Sequence, residues 1–169
     1  MGTSSIDHAY TAVRIDRTID VSYERFMVGL EAQLGVMNLD VLREIATRSA
    51  EDARAMLAAL VGPSGFALFQ KIDHGALLTA FRGERTRAMT VVFGNALIAI
   101  EMTRHERGVG LYVPLRVLVE EVAPLCVRVT YDKPSATLAQ FGSPAVDAIA
   151  RSLDAKVEQL LEEAAKQGA

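Results

Sequence analysis

Alternation opens the chain. Val13, Ile15, Ile19 and Val21 are apolar and interleave with Arg14, Asp16, Thr18 and Asp20, the period-two signature of a half-buried strand, with Arg17 as the one charged residue on the apolar side. From Ser22 the period becomes helical. Tyr23, Phe26, Met27, Leu30 and Leu34 share one face, Ser22 is placed to cap it, and Gly35 supplies a stop. Asn38 and Asp40 can open a second helix, whose stripe through Leu42, Ile45, Ser49, Ala53, Leu57 and Leu60 runs unbroken to Gly62-Pro63. A break at Ser49, with Asp52 as the third residue of a separate helix, is the alternative; the unbroken stripe favours one helix.

Past the turn Gly62-Pro63-Ser64-Gly65, residues 66–72 read as a strand ending at Asp73-His74-Gly75, and 76–81 as a short helix. A polar connection over 82–87 leads to a strand over 88–93, stopped by Gly94-Asn95. A short helix over 96–102 and a polar loop over 103–110 follow. Leu111, Val113, Leu115, Val117 and Val119 then alternate as a strand that contains Pro114. Proline cannot donate to a ladder, so Pro114 is expected at a sheet edge or a bulge. After Ala123-Pro124, Leu125, Val127, Val129 and Tyr131 form the second arm of an antiparallel hairpin. A short irregular stretch follows Asp132-Lys133-Pro134. Ser143-Pro144 begins a last helix, whose inner stripe includes Val146, Leu153, Val157 and Leu161.

The order strand, helices, four strands, helix predicts an α+β fold: an antiparallel sheet with helices gathered on one face. Residues 1–169 read as a single domain, with 1–10 as a flexible leader.

Composition narrows the function classes. Half of the 169 residues are hydrophobic by type, mean hydropathy is +0.20, and a domain of this size buries roughly 70% of its unfolded surface. The 18 basic residues are scattered among 21 acidic ones for a net charge of −3, so the basic stripe that nucleic-acid binding needs is missing. The longest apolar run, 55–61, falls far short of the ~20 residues of a membrane span. Nothing at the start of the sequence resembles a secretory signal, and the chain is expected in the cytoplasm. One cysteine, Cys126, excludes an internal disulfide, and three histidines give no zinc spacing. No metal or cofactor is expected. Apolar surplus without a span points to an oligomer interface or an internal cavity. The surfaces left to be hidden are the sheet's uncovered face and the strand edge near Pro114.

Several short motifs carry a family resemblance: Gly65-Phe66 through Ile72-Asp73-His74, then Phe93-Gly94-Asn95, then Leu111 with Pro114-Leu115-Arg116-Val117-Leu118-Val119, and Tyr131-Asp132. Together they resemble the bacterial and archaeal domain-of-unknown-function family 302, over roughly residues 62–133. The resemblance implies a fold similar to the TATA-box-binding-protein class, a homodimer, and no established activity. The chain departs from the family's pattern at Ala96, where proline usually follows the glycine-asparagine pair, and by an extra helical segment at about 39–61.

The candidate ligand-binding residues are Asp73, His74, Phe93, Gly94 and Asn95. A carboxylate beside an imidazole at a strand end can orient a general base, although neighbouring strand residues point to opposite faces and Asp73 equally suits a turn cap. Gly94-Asn95 can present backbone amides to an anion, or can be merely two residues that tolerate a tight turn. Arg116 can bind a carboxylate, and Arg128 can activate Cys126 on the same strand face, but a solvated arginine and a small buried hydrophobe are the plainer readings. Adjacent Glu120 and Glu121 diverge across their strand. No nucleophile elbow occurs, so no catalytic residue is assigned. The function expected is a homodimeric, non-enzymatic module for a small apolar or amphipathic ligand. The alternatives are a small-molecule enzyme using Asp73 and His74, with Asn95 polarising a carbonyl, and a structural or regulatory dimer.

Overall fold

The computed structural model describes residues 2–37 and 39–167. Its strands are β1 (Arg14–Ile19), β2 (Leu34–Val36), β3 (Phe66–Asp73), β4 (Ala88–Gly94), β5 (Leu115–Ala123) and β6 (Cys126–Asp132). Its helices are α1 (Tyr23–Gln33), α2 (Leu39–Ile45), α3 (Ala50–Ala58), α4 (His74–Arg82), α5 (Ala96–Thr103), α6 (Pro134–Leu138) and α7 (Pro144–Gln167), with 3-10 turns at Arg107–Leu111 and Ala139–Phe141. The strands form one sheet in the order β1-β6-β5-β4-β3-β2. Every pairing is antiparallel except β2 with β3.

The α+β class follows from how the sheet divides its residues. Cross-strand register places Arg17, Val129, Val119 and Met89 in one row and Ile15, Tyr131, Val117 and Val91 in the next. The valines of both rows are fully buried beneath α1 and α7, which pack on each other. The charged exceptions lie toward the sides of this face and reach helix carboxylates: Arg17 bonds Glu162 of α7 at 3.2 Å, and Lys71 bonds Glu31 of α1 at 2.8 Å. The opposite face, with Asp16, Thr130, Leu118 and Thr90 in one row, lies partly open to solvent.

Four expectations change. Residues 40–60 are not one helix. Ser49 caps α3 by accepting from the Asp52 amide at 3.1 Å while donating to the Asp52 carboxylate at 2.8 Å, and this local pairing ends the upstream helix although the apolar stripe runs on. Asp40 lies in α2; the start proposed at Asn38 lies outside the described residues. Leu34 and Gly35 do not finish α1 but begin β2, a sixth strand too short to display alternation. A Cβ on Gly35 would overlap the Leu60 carbonyl, and one on Gly62 the Gly35 amide, so these glycines let two backbone segments touch.

Pro114 is at no sheet edge. It precedes β5, which lies between β4 and β6, and follows a cis peptide from Val113. The alternation at Leu111 and Val113 is therefore not strand; Leu111 ends a 3-10 turn. The stretch after Lys133, expected to be irregular, folds into α6 and a further 3-10 turn. Residues 2–12 carry no helix or strand and are exposed, yet Tyr10 stacks edge-on against Tyr112 with ring centroids 5.9 Å apart.

Candidate functional site

The site grows from the turn between β4 and α5. Asn95 caps α5: its side-chain oxygen accepts from the amides of Leu97 (2.9 Å) and Ile98 (3.2 Å), and its Nδ2 donates to the Gly65 carbonyl at 2.8 Å. One side chain thus fixes the helix start to the beginning of β3. Gly94 is explained by close approach, since a Cβ there would meet Pro114 Cβ at 3.2 Å. Neither residue has a positive φ, so the tight-turn explanation offered by their composition does not apply.

Beside this clamp lies an open-sided pocket of about 310 Å³. Phe66 and Phe69 of β3 form one wall, with a register shift between Leu68 and Gln70 around Phe69. Ile98, Ala99 and Met102 of α5 form another, Leu42, Ile45 and Leu57 cover it from α2 and α3, and Val113, Pro114 and Leu153 complete it. Among the described residues no acidic, basic, histidine, cysteine or tyrosine side chain lines it. Its two polar side chains are already engaged, Asn95 as above and Thr103 by donating to the Ala99 carbonyl at 2.9 Å. Such a surface offers mainly shape and dispersion.

The five candidate residues are not brought together. Gly94 and Asn95 line the pocket. Phe93 stands behind it, fully buried, its ring edge-on to Phe66 at 5.2 Å. Asp73 and His74 lie at the far end of β3, six residues along the strand from the Ala67–Gly94 pair, or roughly 20 Å at strand spacing. Asp73 caps α4 by accepting from the Ala76 amide at 2.8 Å, and His74 Nε2 bonds Thr90 Oγ1 at 3.0 Å on the sheet's open face. Carboxylate, imidazole and amide therefore share no cleft. The other candidates are equally separate. Arg128 is held by Glu120 at 3.0 and 3.1 Å, while Glu121 turns instead to Arg87. Cys126 is half-buried at the hairpin end, and Arg116 is exposed on the open face.

Sequence reasoning missed most of the pocket, Phe69 and the face of α5 above all. A signal existed: residues 96–100, Ala-Leu-Ile-Ala-Ile, have no polar face, and a helix apolar all round needs cover on every side. Ile100 nonetheless remains 49% exposed.

Among the described residues no group of three His, Cys, Asp or Glu side chains could hold a metal ion, and no helix is long and apolar enough to cross a membrane. A family model described as "Domain of unknown function DUF302" matches residues 43–164. The crystal structure of an uncharacterized conserved DUF302 protein from Bacillus stearothermophilus shares the fold, with a TM-score of 0.61 at 14% identity over 89% of this chain and 96% of that one. No curated protein matches the chain. With the model spanning residues 43–164, the chain belongs to the DUF302 family.

Proposed function

We propose that this protein is a binding module that takes a small apolar or amphipathic molecule into the pocket between α5 and the α2–α3 pair. The observation that carries this reading is a largely apolar cavity of about 310 Å³ in which the side chains of Asn95 and Thr103 already hydrogen-bond within the protein. Small-molecule pockets begin near ~300 Å³, and a cavity of ~150 Å³ accepts benzene, so a ligand of about 12 to 18 non-hydrogen atoms fits this open-sided pocket. Among the described residues the pocket lining carries apolar side chains and no titratable one, a surface suited to binding an apolar molecule. The test is titration with a neutral fluorophore such as N-phenyl-1-naphthylamine. Saturable, blue-shifted binding is expected for the wild type and for Leu125→Ser, on the exposed hairpin tip, but weakened at least about tenfold by Ala99→Phe, which fills the pocket. Equal binding to wild type and Ala99→Phe overturns the reading.

We also propose that the module is a homodimer. What supports this is α4, whose Leu77, Leu78 and Phe81 are 60%, 40% and 87% exposed and form an apolar face uncovered by this chain. Sedimentation at micromolar concentration should find a dimer that Phe81→Glu dissociates; a wild-type monomer overturns it.

A further inference from the structure

We infer that the ligand is an anionic amphiphile whose acidic head is held by Lys156. The inference rests on the pocket reading above and adds the charge of the ligand. Lys156 belongs to α7, one turn beyond Leu153, which lines the pocket. Its Nζ lies 5.8 Å from the centroid of the Phe66 ring, and Phe66 is itself a pocket wall. Long basic side chains ordinarily lay their stems on apolar surface and extend the head into water. Here the head lies over an aromatic ring, and the residue as a whole is half-buried.

This ammonium has no carboxylate partner among the described residues. The helix offers none, since the positions three and four residues away are Ser152, Leu153, Gln159 and Leu160. Asp154, two residues before it, is engaged elsewhere: it accepts from the Ser135 amide at 2.9 Å and lies 3.8 Å from Lys133. The loop before β3 comes close with a glycine: a Cβ on Gly65 would stand 3.3 Å from Nζ.

A largely apolar pocket, with a cation lying over the ring of its wall residue Phe66, complements a molecule with an apolar body and one negative end. The body lies against Phe69, Ile98 and Met102, and the head meets Lys156 beside Phe66. A cation fixed by a ring is already partly desolvated, so an added anion strengthens its environment at little ordering cost.

Calorimetric titration with decanoate and 1-decanol, matched in chain length and differing in charge, tests this. Wild type is expected to bind decanoate about tenfold more tightly than decanol at low salt, with the margin shrinking as salt rises. Lys156→Met should remove the margin and leave decanol binding unchanged, and Lys156→Arg should keep it. Equal wild-type affinities for the two ligands, or a margin that survives Lys156→Met, overturn the role of Lys156 while leaving the pocket reading intact. Failure of both ligands to bind overturns both.

Discussion

Gly29 of α1 lies directly against the carbonyl of Ala164 in α7, so close that a Cβ at position 29 would overlap that oxygen. The two helices cover the sheet only because their backbones can touch here. Alanine ordinarily gains up to about 1 kcal/mol over glycine within a helix. At this position the gain is outweighed, because the obstacle is backbone and overpacking of that kind costs about 1–3 kcal/mol. Gly29→Ala should therefore lower the unfolding free energy by about 1–2 kcal/mol in urea denaturation, and a stabilised variant would refute the close crossing.

Ser49 marks the boundary between α2 and α3 through its reciprocal bonds with Asp52. Ser49→Ala should cost about 1 kcal/mol. Hydrogen exchange should accelerate in α3 but not in the sheet; uniform acceleration would show that the pocket cover is not a separate cooperative unit.

Asn95 performs two tasks, and substitution separates them. Serine can retain the cap but is too short to reach the Gly65 carbonyl, whereas alanine loses both bonds. Losses of about 1 kcal/mol for Asn95→Ser and about 2 kcal/mol for Asn95→Ala are expected from thermal or urea unfolding. Identical losses would mean that the bond to Gly65 contributes nothing.

Arg87 ties α1 to the β5 end of the sheet: its guanidinium bonds Glu24, lies 3.2 Å from Glu121, and stacks over Tyr23 at 5.5 Å. The hydrogen bond from Arg87 holds the Glu24 carboxyl below the ordinary carboxylate range. A carboxylate depressed on folding adds stability above its unfolded pKa and loses it as pH falls through the folded value. Wild type should therefore lose urea resistance more steeply than Glu24→Gln from about pH 5 downward. Parallel pH profiles would remove the ion pair from the stability account.

Much of this architecture is legible in the residue pattern because periodicity reports burial. The alternation at Val127, Val129 and Tyr131 and the stripe through Val146, Leu153 and Val157 describe faces that are indeed buried. What the pattern hides are decisions made by single atoms. The Ser49 hydroxyl divides two helices that share one apolar stripe, and three residues at Leu34 pair with β3 for reasons visible only from the neighbouring strand. At the pocket, Gly94 and Asn95 are legible as the end of a strand, but their neighbours Phe69, Val113 and Leu153 come from three distant stretches that only the fold brings together. Asp73 and His74 are a chemical pair in sequence only, since Asp73 caps α4 and His74 bonds across to Thr90 of β4.

The contact between Gly35 and Gly62 has a consequence for how the segment between them can change. Residues 39–61 form an excursion whose two ends meet the sheet at nearly the same point, since β2 lies beside β3. Once such a neck is closed, lengthening the loop costs only about 0.6 kcal/mol per doubling. The excursion can therefore be shortened, extended or recomposed as a cassette without disturbing the strands that anchor it. Its inward residues, Leu42, Ile45 and Leu57, are then the ones free to diverge, so selectivity for what enters the pocket can shift while the scaffold beneath stays constant.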